Sequence, residues 1–547
     1  MKRLVLCNLL CLFALLLSAQ TVPVKNVIVM IPDGTSTSLL SAARWYQTYL
    51  DSSATTLNID RFITGLVRTN SSDAPIGDSA PTTSCYMTGQ PTQTAFVSTY
   101  PVQTKNDLVA VDPSKAYQPQ ATLLEAAKFW QDKATGLVFT CEFPHATPAD
   151  CAAHTYDRGA YKMIAPQMVY NKVDVVFGGG VSYLGEEEKT FLKNNGYSVY
   201  LDDAKGMRNC QSAPCWALFD EHSMNYEMER NVTTTPSIAE MTRKAIELLS
   251  PSPNGFFLMV EGSKVDWAAH DNDAKAAITD FLAFDKACKV ALDFAQKDGN
   301  TLVLILPDHG TASVTVGNAK SNHGYDKLSL KQIMQPLDDY NLSLSSMSKR
   351  MKNTDTTEWS SLFHTFFNID ISSAEIQYLN TASDYKKSSL PKDQRSGNLS
   401  MSKMLSQIVY GRTCFGFTTF GHTMENVFLA CYHPNGDELK GCCTNVEVNE
   451  YLCKQMGFAA PLSQLTDELF VDHRKVFADY QARVDSLGPY HYRLTAKYKK
   501  NTLVADSYTS FVTVNNKKYD IGSVMVYMPK NETFYVPKEL YKYLLLK

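Results

Sequence analysis

Seven side chains able to bind cations or move protons cluster beside short, strongly apolar runs. Asp33 comes just after Asn26–Ile31, Glu261 just after Gly255–Val260, and Asp308-His309 just after Thr301–Leu306. Asp266 and His270 follow Glu261 at i, i+4 spacing, which puts both on one face of a helix. His422 sits in Gly421-His422-Thr423, shortly before the apolar run Val427–Tyr432. Singly, each has an ordinary explanation: an Asp at a strand end is usually a cap, and a lone His usually a satisfied core or surface group. Converging on one sheet edge, so many carboxylates would repel one another without cations. Asp with His is a zinc donor set. His145 and Thr147 follow another such run, Gly136–Thr140. The oxygen donors Glu261 and Thr147 suit magnesium.

A possible nucleophile lies in Asp78-Ser79-Ala80-Pro81-Thr82-Thr83, at the start of a short helix expected to run toward Thr88-Gly89. There a serine hydroxyl stands beside unpaired backbone N–H groups and the positive end of a helix dipole, a setting that favours a bound anion. Taken alone, Asp-Ser is simply a common capping pair.

The elements that must position these groups follow a βα rhythm. Apolar runs of strand length (26–31, 136–140, 173–177, 255–260, 301–306) alternate with helical patterns at 36–50, 121–133, 148–155, 236–249 and 274–298. Strands this apolar suit a mostly parallel sheet covered on both faces. The predicted fold class is α/β: a three-layer sandwich with a mostly parallel central sheet, an inserted segment and a small C-terminal antiparallel β appendage. In such sheets, sites collect at the carboxyl edge. The expected organisation is a leader over 1–19, a catalytic core over 20–320, an inserted segment over 321–410, a return to the core over 411–489 and a β-rich appendage over 490–547.

Met1-Lys2-Arg3, an apolar stretch to Leu17 and small residues at Ser18-Ala19 read as a secretory signal peptide, predicting an exported protein, periplasmic or secreted. No other stretch reaches the roughly 20 apolar residues of a membrane span. A net charge of -4 gives no electrostatic case for nucleic acid. In an oxidising compartment Cys210 with Cys215, and the Cys442, Cys443, Cys453 group, are candidate disulfide partners. Cys85, Cys141, Cys151, Cys288, Cys414 and Cys431 read as buried thiols.

The chain resembles the alkaline phosphatase family. The pieces that carry the resemblance are Met30-Ile-Pro-Asp33-Gly, Gly77-Asp-Ser79-Ala, His145-Ala-Thr147-Pro-Ala, Val260-Glu261-Gly through Asp266-Trp-Ala-Ala-His270, Pro307-Asp308-His309 and Thr419-Phe-Gly-His422-Thr-Met-Glu. They occur in family order. The resemblance implies a phosphate monoesterase with Ser79 as nucleophile and Arg158 as phosphate clamp. It implies one zinc on Asp266, His270 and His422, and a second on Asp33, Asp308 and His309. Asp33 would bridge to a magnesium held by Thr147 and Glu261. It also implies small-molecule phosphate monoesters as substrates and a possible homodimer.

Two positions depart from some bacterial members, which carry Asp and Lys where this chain has His145 and Trp267. Both are expected to support the magnesium and phosphate positions without ligating. Rival readings are a phosphodiesterase or sulfatase of the same superfamily, or a non-catalytic metal- or phosphate-binding protein. A sulfatase motif needs an arginine that Ser79-Ala-Pro81-Thr-Thr83 lacks, and a binding protein need not keep Ser79 or Arg158.

Overall fold

The computed structural model describes residues 23–546 apart from 389, 392, 393, 396 and 398, so the leader lies outside the described residues. The apolar runs become strands of one ten-stranded sheet. In chain order these are β1 (Asn26–Ile31), β2 (Ile63–Arg68), β3 (Ala134–Glu142), β4 (Val175–Gly179), β5 (Ser198–Leu201), β6 (Cys215–Leu218), β7 (Phe256–Glu261), β8 (Thr301–Ile305), β9 (Val427–Tyr432) and β10 (Gly441–Thr444). Their spatial order is β10-β2-β9-β8-β1-β7-β3-β4-β6-β5. β1 pairs in parallel with both β7 and β8, and the parallel run continues through β3 and β4 to β6 and β5. β9 runs against both its neighbours, β8 and β2.

All six residues of β1 are buried. Val27, Val29 and Ile31 pack into the core on one face, Ile28 and Met30 into the core on the other. That is the outcome expected when a continuous apolar run alternates across a sheet covered by helices on both sides. Each fully buried aliphatic side chain of this kind contributes roughly 1.5–3 kcal/mol. The fold class read from the sequence therefore holds.

β2, β5 and β10 carry no comparable apolar signal, and β6, apolar throughout, is only four residues long. β2 lies near one edge of the sheet and buries only Val67, so its sequence lacks the run that marks the central strands. The inserted segment carries helices, among them Leu344–Asn353, Trp359–Phe367 and Met401–Val409, and its described residues add no strand to the large sheet. At the C-terminus a five-stranded antiparallel sheet begins at Gln481–Gly488, ahead of the alternation visible from Tyr490 onward.

The cysteine expectations need correction. Cys210, Cys215, Cys442, Cys443 and Cys453 are free thiols. Cys442 and Cys443 are neighbours on β10 and face opposite sides, one exposed and one buried. Cys453 Sγ donates to Asn449 Oδ1 on its own helix. Cys414, expected to be buried, is partly exposed. No helix among the described residues is long and apolar enough to cross a membrane.

Candidate active site

The carboxyl ends of β1, β7 and β8 bring Asp33, Glu261 and Asp308-His309 together. His422 precedes its strand instead of following it, yet reaches the same edge because β9 runs antiparallel to β8. Helix α1 (Ser79–Thr88) points its first turn at this edge. All ten of its residues are buried, held between Ala146–Ala152 and Asn445–Met456. Gly89 ends α1 at φ 73°, where an added Cβ would meet Asn449 Oδ1 at 2.6 Å. That contact leaves room only for glycine.

Asp78 occupies the N-cap position of α1, but its side chain caps nothing. Its Oδ1 accepts a hydrogen bond from Arg158 Nη1. Arg158 Nη2 donates to His145 Nε2 at 3.1 Å. Ser79 Oγ lies 3.2 Å from His309 Nε2 and 3.4 Å from Asp33 Oδ1.

Asp33, Asp308 and His309 form one group whose ligand-type atoms all lie within 4.8 Å of one another, and Asp266, His270 and His422 form a second. In the first, His309 Nε2 is 3.4 Å from Asp33 Oδ1 and 3.6 Å from Asp308 Oδ2. Asp308 Oδ1 accepts from the backbone N–H of Gly34 and of His309, while Asp33 Oδ2 and Asp308 Oδ2 are buried with no protein partner. In the second, His270 Nε2 and His422 Nε2 stand 3.0 Å apart. Each ring donates its Nδ1–H to a backbone carbonyl, Phe420 and Gly77 respectively. Both Nε2 atoms therefore present lone pairs to the same space, as ligating imidazoles do. Thr311 Oγ1 donates to Asp266 Oδ1 at 2.6 Å and fixes that carboxylate.

The electrostatics fit the same reading. Burial, then the charges of Asp308, Asp266 and Glu261, raises the Asp33 pKa well above the ordinary carboxylate range. Glu261 is pushed up to about 8, chiefly by burial. His422 is pushed down to about 4, first by burial and then by His309, so it is neutral near pH 7 and able to ligate. Orphaned buried oxygens, crowded carboxylates and facing imidazole lone pairs fit cations at both groups.

Thr147 Oγ1 and Glu261 Oε1 are likewise buried without a protein partner. Trp267 does not reach either group. Its ring lies under Lys264 Nζ and edge-on to His145.

Three contributors were not legible in the sequence. Asp78 shows there only as a cap, Cys141 only as a thiol in an apolar strand, and Thr311 gives no signal at all.

A sequence model of the family described as alkaline phosphatase matches residues 24–458. The chain belongs to the alkaline phosphatase family. It is 32% identical over 439 residues to alkaline phosphatase 4 of Bacillus subtilis, covering 78% of this chain and 87% of that protein. Against the human tissue-nonspecific alkaline phosphatase it is 29% identical over 337 residues, covering 52% of this chain and 63% of the human one. The crystal structure of the Thermus thermophilus alkaline phosphatase superposes with a TM-score of 0.69 at 22% identity, covering 81% of this chain and 93% of that one. That last likeness bears on the fold alone. Membership brings a phosphatase-type hydrolase activity, with clusters suited to metal-dependent chemistry. The family match stops short of the C-terminal antiparallel sheet of this alkaline phosphatase.

Proposed function

We propose that the chain is an exported phosphomonoesterase that acts on small phosphate monoesters through a phosphoserine at Ser79. Its catalytic core is 20–320 with 411–489; the segment 321–410 and the appendage 490–547 decorate it. The observation that carries the reading is the position of Ser79 Oγ, 3.2 Å from His309 and 3.4 Å from Asp33, at the head of a helix and within one donor group.

Zinc ions held by Asp33, Asp308 and His309 and by Asp266, His270 and His422 would supply positive charge to the attacking and leaving oxygens. Ser79 Oγ, its proton lost to solvent, attacks phosphorus from the end of α1. The bond from phosphorus to the alcohol oxygen breaks, the alcohol takes a proton from solvent and leaves, and the phosphoryl group rests on Ser79. Water then attacks phosphorus from the vacated side, the Ser79–phosphorus bond breaks, and inorganic phosphate leaves. Arg158 offers two N–H groups in one plane to two phosphoryl oxygens, a bidentate geometry that lysine cannot supply. Asp78 holds that guanidinium in place before substrate arrives.

The deciding experiment is to trap the enzyme with labelled monoester at mildly acidic pH and map the label. Label on Ser79, its loss in Ser79→Ala and net retention at phosphorus are expected. Inversion, or label on another residue, would sink the proposal.

A further inference from the structure

Beside Arg158 lies a third group of donors. Cys141 Sγ, a His145 ring nitrogen and a Glu261 carboxylate oxygen all lie within 4.8 Å of one another. Cys141 Sγ donates to Glu261 Oε2 at 3.3 Å. Three further polar atoms here are buried without a protein partner: His145 Nδ1, Glu261 Oε1 and Thr147 Oγ1. His145 Nε2 accepts from Arg158, so the ring proton sits on Nδ1 and must move to Nε2 for Nδ1 to ligate.

The family resemblance implies magnesium at this place, on the oxygens of Thr147 and Glu261. The donors present do not match that ion. Magnesium takes oxygen ligands in near-octahedral geometry and keeps several waters, so thiolate and imidazole are poor partners for it. Thiolate, imidazole and carboxylate are the zinc set, and Thr147 Oγ1 can complete a tetrahedron.

We propose that the third cation position is a zinc-type site ligated by Cys141, His145 and Glu261, and not a magnesium site. The proposal deepens the phosphatase reading and rests on it for its setting. When the cation binds, the thiol proton leaves Cys141 for solvent and a sulfur–metal bond forms. His145 ligates through Nδ1 with its ring proton moved to Nε2, so it gives up the hydrogen bond from Arg158. Occupancy of this site thereby frees Arg158 Nη2 to meet substrate while Nη1 stays tied to Asp78.

The test uses the full-length protein, alkylated at its exposed Cys442, stripped by chelation and reloaded with cadmium alone. The Asp and His groups contain no sulfur, so a thiolate-to-metal absorption in the ultraviolet reports the third site. The native protein should show this band on the third equivalent of cadmium, and Cys141→Ser should lose it. Zinc loading against excess magnesium should give three zinc ions per native chain, and two zinc with one magnesium in Cys141→Ser. A native chain with two zinc ions, one magnesium ion and no thiolate band overturns the third-site assignment and leaves the phosphatase reading standing. Fewer than two zinc ions per native chain overturns both. The native band decides the matter even if Cys141→Ser folds poorly.

Discussion

His270 and His422 face each other with their Nε2 atoms 3.0 Å apart, while each Nδ1–H is committed to a backbone carbonyl. Two neutral imidazoles do not hold that arrangement by attraction to each other; a shared cation makes it favourable. His422→Asn should therefore lower zinc content by one ion per chain. Losing groups that merely support a ligand costs about 10–100-fold. Removing the ligand itself should cut turnover by more than about 100-fold. Unchanged zinc content by elemental analysis would show that the pair is only structural.

Arg158 is tied to Asp78 and His145 and not to either Asp/His group. Arg158→Ala should leave the zinc of those two groups unchanged and weaken inhibition by inorganic phosphate. Loss of a charge-assisted contact of this kind costs roughly 1.5–3 kcal/mol, a weakening of about 10–150-fold. An unaltered inhibition constant would mean that Arg158 does not touch phosphate.

Gly34 turns the chain after Asp33 at φ 61°, and a Cβ there would meet Asp266 Oδ1 at 2.3 Å. Gly34→Ala should cost at least about 1–2 kcal/mol from the left-handed backbone alone. It should also displace Asp266 and so release the zinc shared with His270 and His422. Thermal unfolding and zinc analysis of the variant check both effects; wild-type values in both would refute the contact.

Asp273 caps the helix Ala274–Asp298 and also accepts from Leu344 N and Tyr410 Oη, joining the inserted segment to the core. Burial pushes its pKa up to about 6. The folded chain thus keeps a proton that the unfolded chain has released between about pH 4 and 6. This stabilisation is full below the unfolded pKa and is lost as pH rises through about 6. Asp273→Asn cannot titrate. Its destabilisation should therefore be largest near the acid end and shrink by on the order of 3 kcal/mol by about pH 7. Urea unfolding of metal-free protein across this range measures it. Parallel pH profiles for both proteins would place the carboxyl at its ordinary pKa.

The sequence by itself determined the central strands, because residues 27–31 and 427–431 are apolar at every position, as two covered faces require. It also determined the helix that starts at Ser79 and stops at Gly89, since Gly marks a left-handed C-terminus that other residues resist. The donors Asp33, Glu261, Asp308 and His309 were legible because parallel strands deliver their carboxyl ends to one edge. Tertiary structure alone decided the rest. Strands near the sheet edge, such as β2, carry too little buried surface to leave a pattern. The partner of Asp78 is 80 residues away in Arg158, and no local rule separates an ion pair at that distance from a helix cap. Cys141 reads as one more buried thiol until the register of β3 beside β7 sets it against Glu261. Side-chain periodicity tells which face a residue takes; what it meets there depends on strand order, and strand order is a property of the whole chain.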